Sequence, residues 1–350
     1  MQYRGINYDT GTKTITGNNT RIAFSLDAAE KEIDIIKNEL HCNAIRICGC
    51  DLERVVDAAK IALRVGLTVW FSPSIQYENK ETTLDFVIKS SIAAEKLRVI
   101  SPNIIFVTGT EFTLFSNGFV KGDSVHKRLK NMFGPLSILK NALRLPRSYN
   151  NKLNRFLSLA ADKIKEHFHG QITYASGTWE KVNWDKFDII GVDLYRAAYN
   201  KVNYEDHLQS YLRLGKRLSI MEFGCCAYKG AEDAGPMGWA IVDWKKNKPE
   251  VKGDHTRDEG VQEKYIVDLL SIFQNEEVFA AFAFTFITGN YIHDEDPKYD
   301  LDMGSFGIVK ALSSDKTGYK NLHWIPKRAF FSIASFYGSL LIRQEDEIAV

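Results

Sequence analysis

Eight short runs of nearly unbroken apolar residues recur along the chain, at 2–7, 43–48, 67–73, 104–111, 171–176, 188–195, 217–223 and 278–286. Stretches with a helical repeat lie between and after them. Residues 27–40 place Ile33, Ile36 and Leu40 at i, i+3 and i+7 behind Ser25 or Asp27 as N-cap. Residues 51–65 bring Val55, Ala58, Ala59, Ala62 and Leu63 to one side and close at Gly66. Further helices are expected at 82–99, 151–167, 204–214, 258–274 and 325–337, with a short polar tail after the last. The apolar runs do not alternate, so each strand has both faces buried, as in a parallel sheet. Strand and helix in strict succession predict a single (β/α)8 TIM barrel over residues 1–350. Its surplus over the usual length falls in three segments, 112–150, 227–256 and 287–325, which follow strands 4, 7 and 8. Loops after strands gather at the C-terminal face of such a barrel, where its active sites are built. The competing architecture is an open doubly wound sheet. No GxGxxG or Walker-type loop follows any strand to favour it.

Burial accounts for the apolar runs but not for how they end. The run at 217–223 carries Glu222 and the run at 104–111 ends on Glu111. An unpaired ionised acid in an apolar setting costs several kcal/mol, so each needs a reason. Other strand ends are polar or aromatic as well: Asn7, Tyr8 and Asp9 on the first, Arg46 on the second, Trp70 on the third, and Asp193, Tyr195 and Arg196 on the sixth. Trp179 follows the fifth strand, and Trp239 lies in the long segment after the seventh. A barrel converges these ends on one cleft. Two carboxylates in one cleft can divide acid and base work only if their surroundings push their pKa values apart. Arg46 and Tyr195 are expected to keep Glu222 ionised, which leaves Glu111 as the group with the raised pKa. Trp70, Trp179 and Trp239 offer flat apolar faces of the kind that pack on the C–H face of a sugar ring. Asp9 and Asp193 are weaker candidates for substrate contacts. Plainer readings stand beside these. Glu111 could be a helix N-terminal carboxylate, Glu222 a structural partner of Arg46, and Trp70 part of the barrel core.

Composition narrows the partners. A formal net charge of +1 gives no global argument for binding nucleic acid or an acidic membrane surface, and no apolar run is long enough to span a bilayer. The five cysteines, an odd number with Cys225 and Cys226 adjacent, form no disulfide framework and no zinc spacing. Small apolar packing is the expected use of Cys48, Cys225 and Cys226. The N-terminus has no signal-peptide core, so a cytoplasmic protein is expected. The acidic run 293–302 lacks a calcium-loop pattern, and the basic segment 121–147 is expected to be solvated or packed on itself. No cofactor or metal is expected, and no His pair sits at a strand end for a metal-dependent hydrolase.

The residues TGTEF (108–112) and IMEFG (220–224), with AIRIC on strand two and VDLYR on strand six, resemble the clan A glycoside hydrolases. The resemblance spans nearly the whole barrel. It implies hydrolysis of an O-glycosidic bond with retention, with Glu111 as general acid/base and Glu222 as nucleophile on a carbohydrate substrate. Two features depart from the clan's pattern. Thr110 stands where an Asn usually precedes the acid/base, and AFTFITGN (283–290) on strand eight lacks the common tryptophan. RGINYDTGT, HCNAIRI and VTGTEFTLFSNGF also resemble bacterial proteins labelled abortive phage infection proteins. The alternative function is a barrel without catalysis that binds a glycan or a protein partner, in phage defence if that label applies.

Overall fold

The computed structural model describes residues 1–13 and 17–349, with side chains of the last helix as far as Ile342. Eight strands form the frame: β1 Tyr3–Asp9, β2 Ala44–Gly49, β3 Thr68–Pro73, β4 Ile104–Thr110, β5 Gln171–Gly177, β6 Ile190–Asp193, β7 Leu218–Phe223 and β8 Ala280–Ala283. Each pairs in parallel with its neighbours in sequence, and β8 pairs with β1 to close the barrel. The expected (β/α)8 architecture is therefore the one observed. The surrounding helices start where small polar residues cap them. Asp51 accepts from the backbone N–H groups of Glu53 and Arg54, Asn79 from Thr82, and Asp258 from Gly260 and Val261. Such caps are each worth about 1 kcal/mol.

The two strands that bear the glutamates differ from the rest in register. On β4, Val107 pairs with Thr173 and Thr110 with Ala175, so β4 carries one extra residue against β5. On β7, Ile220 and Glu222 pair with the consecutive residues Val192 and Asp193 of β6, and the same stretch slips against β8. These are the register shifts among the described barrel pairs. A bulge re-aims the side chain that follows it, which here swings Glu111 and Glu222 toward the barrel axis. Gly109 makes the first bulge possible. It has φ near +157°, and a Cβ there would lie 2.1 Å from the Phe112 ring.

Two layers of core follow. Strand faces that point outward pack on the helices. Those that point inward fill the barrel floor with Tyr3, Trp70, Ile105, Val107, Met221, Phe279 and Phe282. Gly5 leaves room for this plug, since a Cβ there would sit 2.4 Å from the Phe282 ring. Trp70 belongs to the floor. It is fully buried, with its ring 4.9 Å from that of Phe282, so the expected sugar platform at this position is corrected to core. Trp70 pairs in register with Arg46 of the neighbouring strand, and both are fully buried.

The three long segments build walls above this floor. The first holds helices Phe112–Phe115, Val125–Met132 and Pro135–Ala142. The second holds the 3-10 turn Gly235–Ile241, and the third the 3-10 turn Leu301–Gly304. They meet over the barrel mouth: the His126 and Trp239 rings are 6.1 Å apart, and those of Trp244 and Tyr291 5.1 Å. Two element ends fall furthest from expectation. Strand β8 stops at Ala283, where the Phe284–Thr285 peptide is cis and the chain turns out of the barrel. The last helix runs over Arg328–Ala349, well past the expected end, because no proline interrupts it. The acidic run after β8 has its cations within the protein: Asp300 and Asp302 hold Arg257 at 2.8 Å each, and Asp302 also holds the buried Lys327 at 2.8 Å. None of the described helices is long and apolar enough to cross a membrane.

Candidate active site

A cavity of about 950 Å³ opens at the C-terminal end of the barrel. Asp9, Arg46, Glu111, Trp179, Tyr195, Glu222 and Trp239 all line it, so seven of the nine residues expected to act on substrate come together. Trp70 lies beneath it. Asp193 is buried behind Glu111 rather than on the cavity wall.

Glu222 is held at both oxygens. Arg46 Nη1 donates to Oε1 at 3.0 Å and Tyr195 Oη donates to Oε2 at 3.0 Å. Arg46 is itself fully buried and fixed on every side. Its Nη1 also reaches Asn7 Oδ1 and the Met221 carbonyl at 3.1 Å, and its Nη2 reaches Thr110 Oγ1 at 2.6 Å. Burial alone would lower the Arg46 pKa. Cys48, Glu222 and Asp193 more than offset this, so the guanidinium stays charged. Asn7 completes the support by donating to the Met221 carbonyl at 2.9 Å. Burial, followed by the charge of Glu222, pushes the Tyr195 phenol well above its ordinary pKa, which keeps its proton available to Glu222. One planar guanidinium thus ties Glu222 to Thr110, the residue next to Glu111. Having accepted from Arg46, the Thr110 hydroxyl retains one proton to donate into the cavity.

Glu111 sits in the opposite electrostatic setting. Its backbone is left-handed (φ 43°), and its N–H donates to the Ala175 carbonyl at 2.9 Å. Burial raises its carboxyl pKa well above the ordinary value, and the facing charges of Asp193, Glu222 and Glu180 add to the rise. Asp193 is raised in the same way, first by burial and then by Glu222. Among the described residues no N–H or O–H donor reaches either oxygen of Asp193, and the Glu111 carboxyl is a polar neighbour. Two carboxyls in contact without a donor hold one proton between them and titrate as a pair. The cleft therefore contains one carboxylate paired with an arginine and one carboxyl that keeps its proton.

Glu180 is the functional candidate that sequence reasoning missed. It is buried and accepts from Thr113 N at 3.0 Å, Thr113 Oγ1 at 2.6 Å and Tyr174 Oη at 2.8 Å. Tyr174 Oη in turn accepts from Phe112 N at 2.7 Å, and Trp179 Nε1 donates to Thr113 Oγ1 at 2.9 Å. Glu180 thereby clamps the turn that follows Glu111 and orients the Trp179 indole. The available signal was an acid beside a tryptophan in GTWE, just past β5. Burial pushes the Glu180 carboxyl up to about 7, although its donors pull the other way. A carboxyl raised from 4.5 to about 7 costs nothing in stability below pH 4.5 and imposes its full penalty above pH 7. That penalty is about 3 kcal/mol. Thermal unfolding followed from pH 4.5 to 8 should therefore show a fall in Tm with rising pH that is visibly smaller in Glu180→Gln. Equal falls in the two proteins would refute the assignment.

The remaining candidates have mixed roles. Asp9 accepts from Gly11 N at 3.0 Å and from the Thr20 hydroxyl, so it braces the loop after β1 while lining the cavity. Phe284 lines the cavity at the end of β8, where the tryptophan of the clan pattern is missing. Cys48 also lines the cavity, but burial pushes its thiol up to about 11 and makes it a poor nucleophile. Cys225 and Cys226 are buried.

Fold and site together define a (β/α)8 barrel with two glutamates in unlike settings at the ends of β4 and β7. No protein-family model matches the chain, and no curated protein matches it in sequence. Solved structures do match in fold. A GH113 β-1,4-mannanase aligns at a TM-score of 0.61 and 12% identity, over 97% of this chain and 100% of its own. The GH113 β-mannanase AaManA from Alicyclobacillus acidocaldarius, in complex with ManMIm, aligns at 0.60 and 12% identity, over 97% and 98%. A β-glycosidase from Thermosphaera aggregans aligns at 0.57 and 9% identity, over 96% of each chain. At these identities the likeness establishes the fold alone. It does not bear on the abortive phage infection label.

Proposed function

We propose that the protein is a retaining glycoside hydrolase in which Glu222 attacks the anomeric carbon and Glu111 serves as general acid and then general base. The observation that carries this reading is the unlike treatment of two glutamates in one cavity. Glu222 accepts from Arg46 and Tyr195, whereas Glu111 is buried against Asp193 and keeps its proton. In the first step the Glu111 proton goes to the departing glycosidic oxygen as the Glu222 carboxylate forms a bond to the sugar. In the second, Glu111 takes a proton from water, whose oxygen displaces Glu222. Arg46 and Tyr195 hold Glu222 in line for attack. Trp179 offers a ring face to the sugar, and the Thr110 hydroxyl offers a single donor where the clan pattern has an amide. The solved structures of similar fold, β-mannanases and a β-glycosidase, suggest β-mannosides and other β-glycosides as first substrates.

The decisive experiment incubates the protein with activated 2-deoxy-2-fluoro glycosides and locates the label by mass spectrometry. An adduct on Glu222, together with proton NMR showing the β-anomer as first product from a β-substrate, is the expected result. No turnover and no adduct across a broad aryl-glycoside panel would favour the non-catalytic binding barrel.

A further inference from the structure

Between Ser124 and Ala161 the chain contains eight Lys and Arg residues and no Asp or Glu, although the whole protein carries only +1. The helix Pro135–Ala142 in this stretch buries none of its residues. Leu136, Leu139 and Leu143 recur along one side of it and its continuation, exposed to 73%, 53% and 60%. Ile138 and Phe133 are also more than half exposed, and Lys140, Arg144 and Arg147 are exposed among them. A contiguous apolar patch of this size on a surface calls for a partner. Apolar side chains interleaved with long cationic ones are what an interfacial segment presents to an anionic bilayer. The leucines enter the acyl boundary while the amines and guanidinium groups remain among the headgroups. Two copies of this patch would repel each other.

The same surface runs into the cavity. Phe133 belongs to both, and Leu129 and Val125 continue inward along the wall from it. Beside polar residues such as Ser74 and Gln76, the cavity wall also carries the apolar groups Leu114, Phe115, Met237 and Ile287. A soluble glycan would leave these groups without a partner of their own kind, whereas an alkyl or acyl chain would cover them. We infer that the segment after β4 docks on an anionic lipid bilayer, and that the cavity takes from it a glycoside whose aglycone is an apolar chain. The docking half stands by itself, and the substrate half rests on the glycosidase reading.

The test uses the full chain with phosphatidylcholine vesicles that either lack or contain phosphatidylglycerol, and it measures co-sedimentation and hydrolysis separately. Binding should require the anionic lipid and weaken with salt. It should fall on the order of a hundredfold in K140Q/R144Q/R147Q, given the usual worth of a basic residue at such a surface. L136S/L139S/L143S should also lose binding. These side chains are exposed, so Tm should stay within about 1 °C of the parent for either variant. Among alkyl β-glycosides, followed by the sugar released, kcat/KM should rise with aglycone chain length from methyl to octyl. Failure of both vesicle types to bind, or a concentration-dependent dimer abolished by L136S/L139S/L143S, overturns the docking. A flat chain-length series with good turnover overturns the apolar aglycone and leaves the glycosidase reading intact. Vesicle binding without turnover of any glycoside leaves the docking intact and rejects the glycosidase reading on which the substrate half depends.

Discussion

Glu222→Gln should reduce turnover of aryl glycosides by a factor on the order of 10^4 while leaving the fold in place, because the first covalent step loses its nucleophile. The replacement has nearly the shape of the original, and its carbonyl can still accept from Tyr195 or Arg46. Arg46 also keeps Asn7, Thr110 and the Met221 carbonyl. The variant therefore separates chemistry from architecture. Glu222→Gly goes further by opening a space at the end of β7. Azide admitted there should restore turnover of substrates with good leaving groups and yield a glycosyl azide of inverted configuration. Retained activity in Glu222→Gln, or rescue without inversion, would remove Glu222 from the reaction. Arg46→Ala is not an equivalent test, since it strips Glu222, Thr110 and Asn7 of one shared donor and leaves a fully buried gap.

The frame was legible because it is written in repeated, local signals. Apolar strand runs, helical periodicity and small polar N-caps each recur, and a misplaced boundary of two or three residues does not change the succession. The pairing of Glu111 with Glu222 was legible for a related reason: an acid at the end of a buried strand conflicts with its surroundings. Trp70 shows the limit of this signal. A tryptophan at a strand end fits a sugar platform and a barrel plug equally well. Only its full burial and the packing of its ring against Phe282 decide for the plug. Asp193 failed differently. It ends β6 as expected, but it is buried beside the Glu111 carboxyl and does not line the cavity. Glu180 was missed because its role depends on Thr113 and Tyr174, far from it in the chain or across a strand, and no local pattern joins the three.

Glu111→Gln should show a loss that depends on the leaving group. Glycosides with poor leaving groups need the proton, and their kcat/KM should fall on the order of 10^3-fold. Dinitrophenyl glycosides leave without help, so their first step should be nearly unaffected and the glycosyl-enzyme should accumulate. The pH profile carries the sharper part of this prediction. Burial and the facing Asp193 raise the Glu111 pKa, and only the protonated form can act as acid. For wild type, kcat/KM on poor leaving groups should therefore decline as pH rises through that raised value, and this basic limb should vanish in Glu111→Gln. In Asp193→Asn a negative charge is replaced by a neutral amide that can donate to the Glu111 carboxylate. Both changes favour ionisation of Glu111, so the basic limb should move to lower pH while turnover at acid pH survives. A basic limb that stays in place in Asp193→Asn would show that the two carboxyls do not share a proton. The raised pKa of Glu111 would then have to come from burial, Glu222 and Glu180.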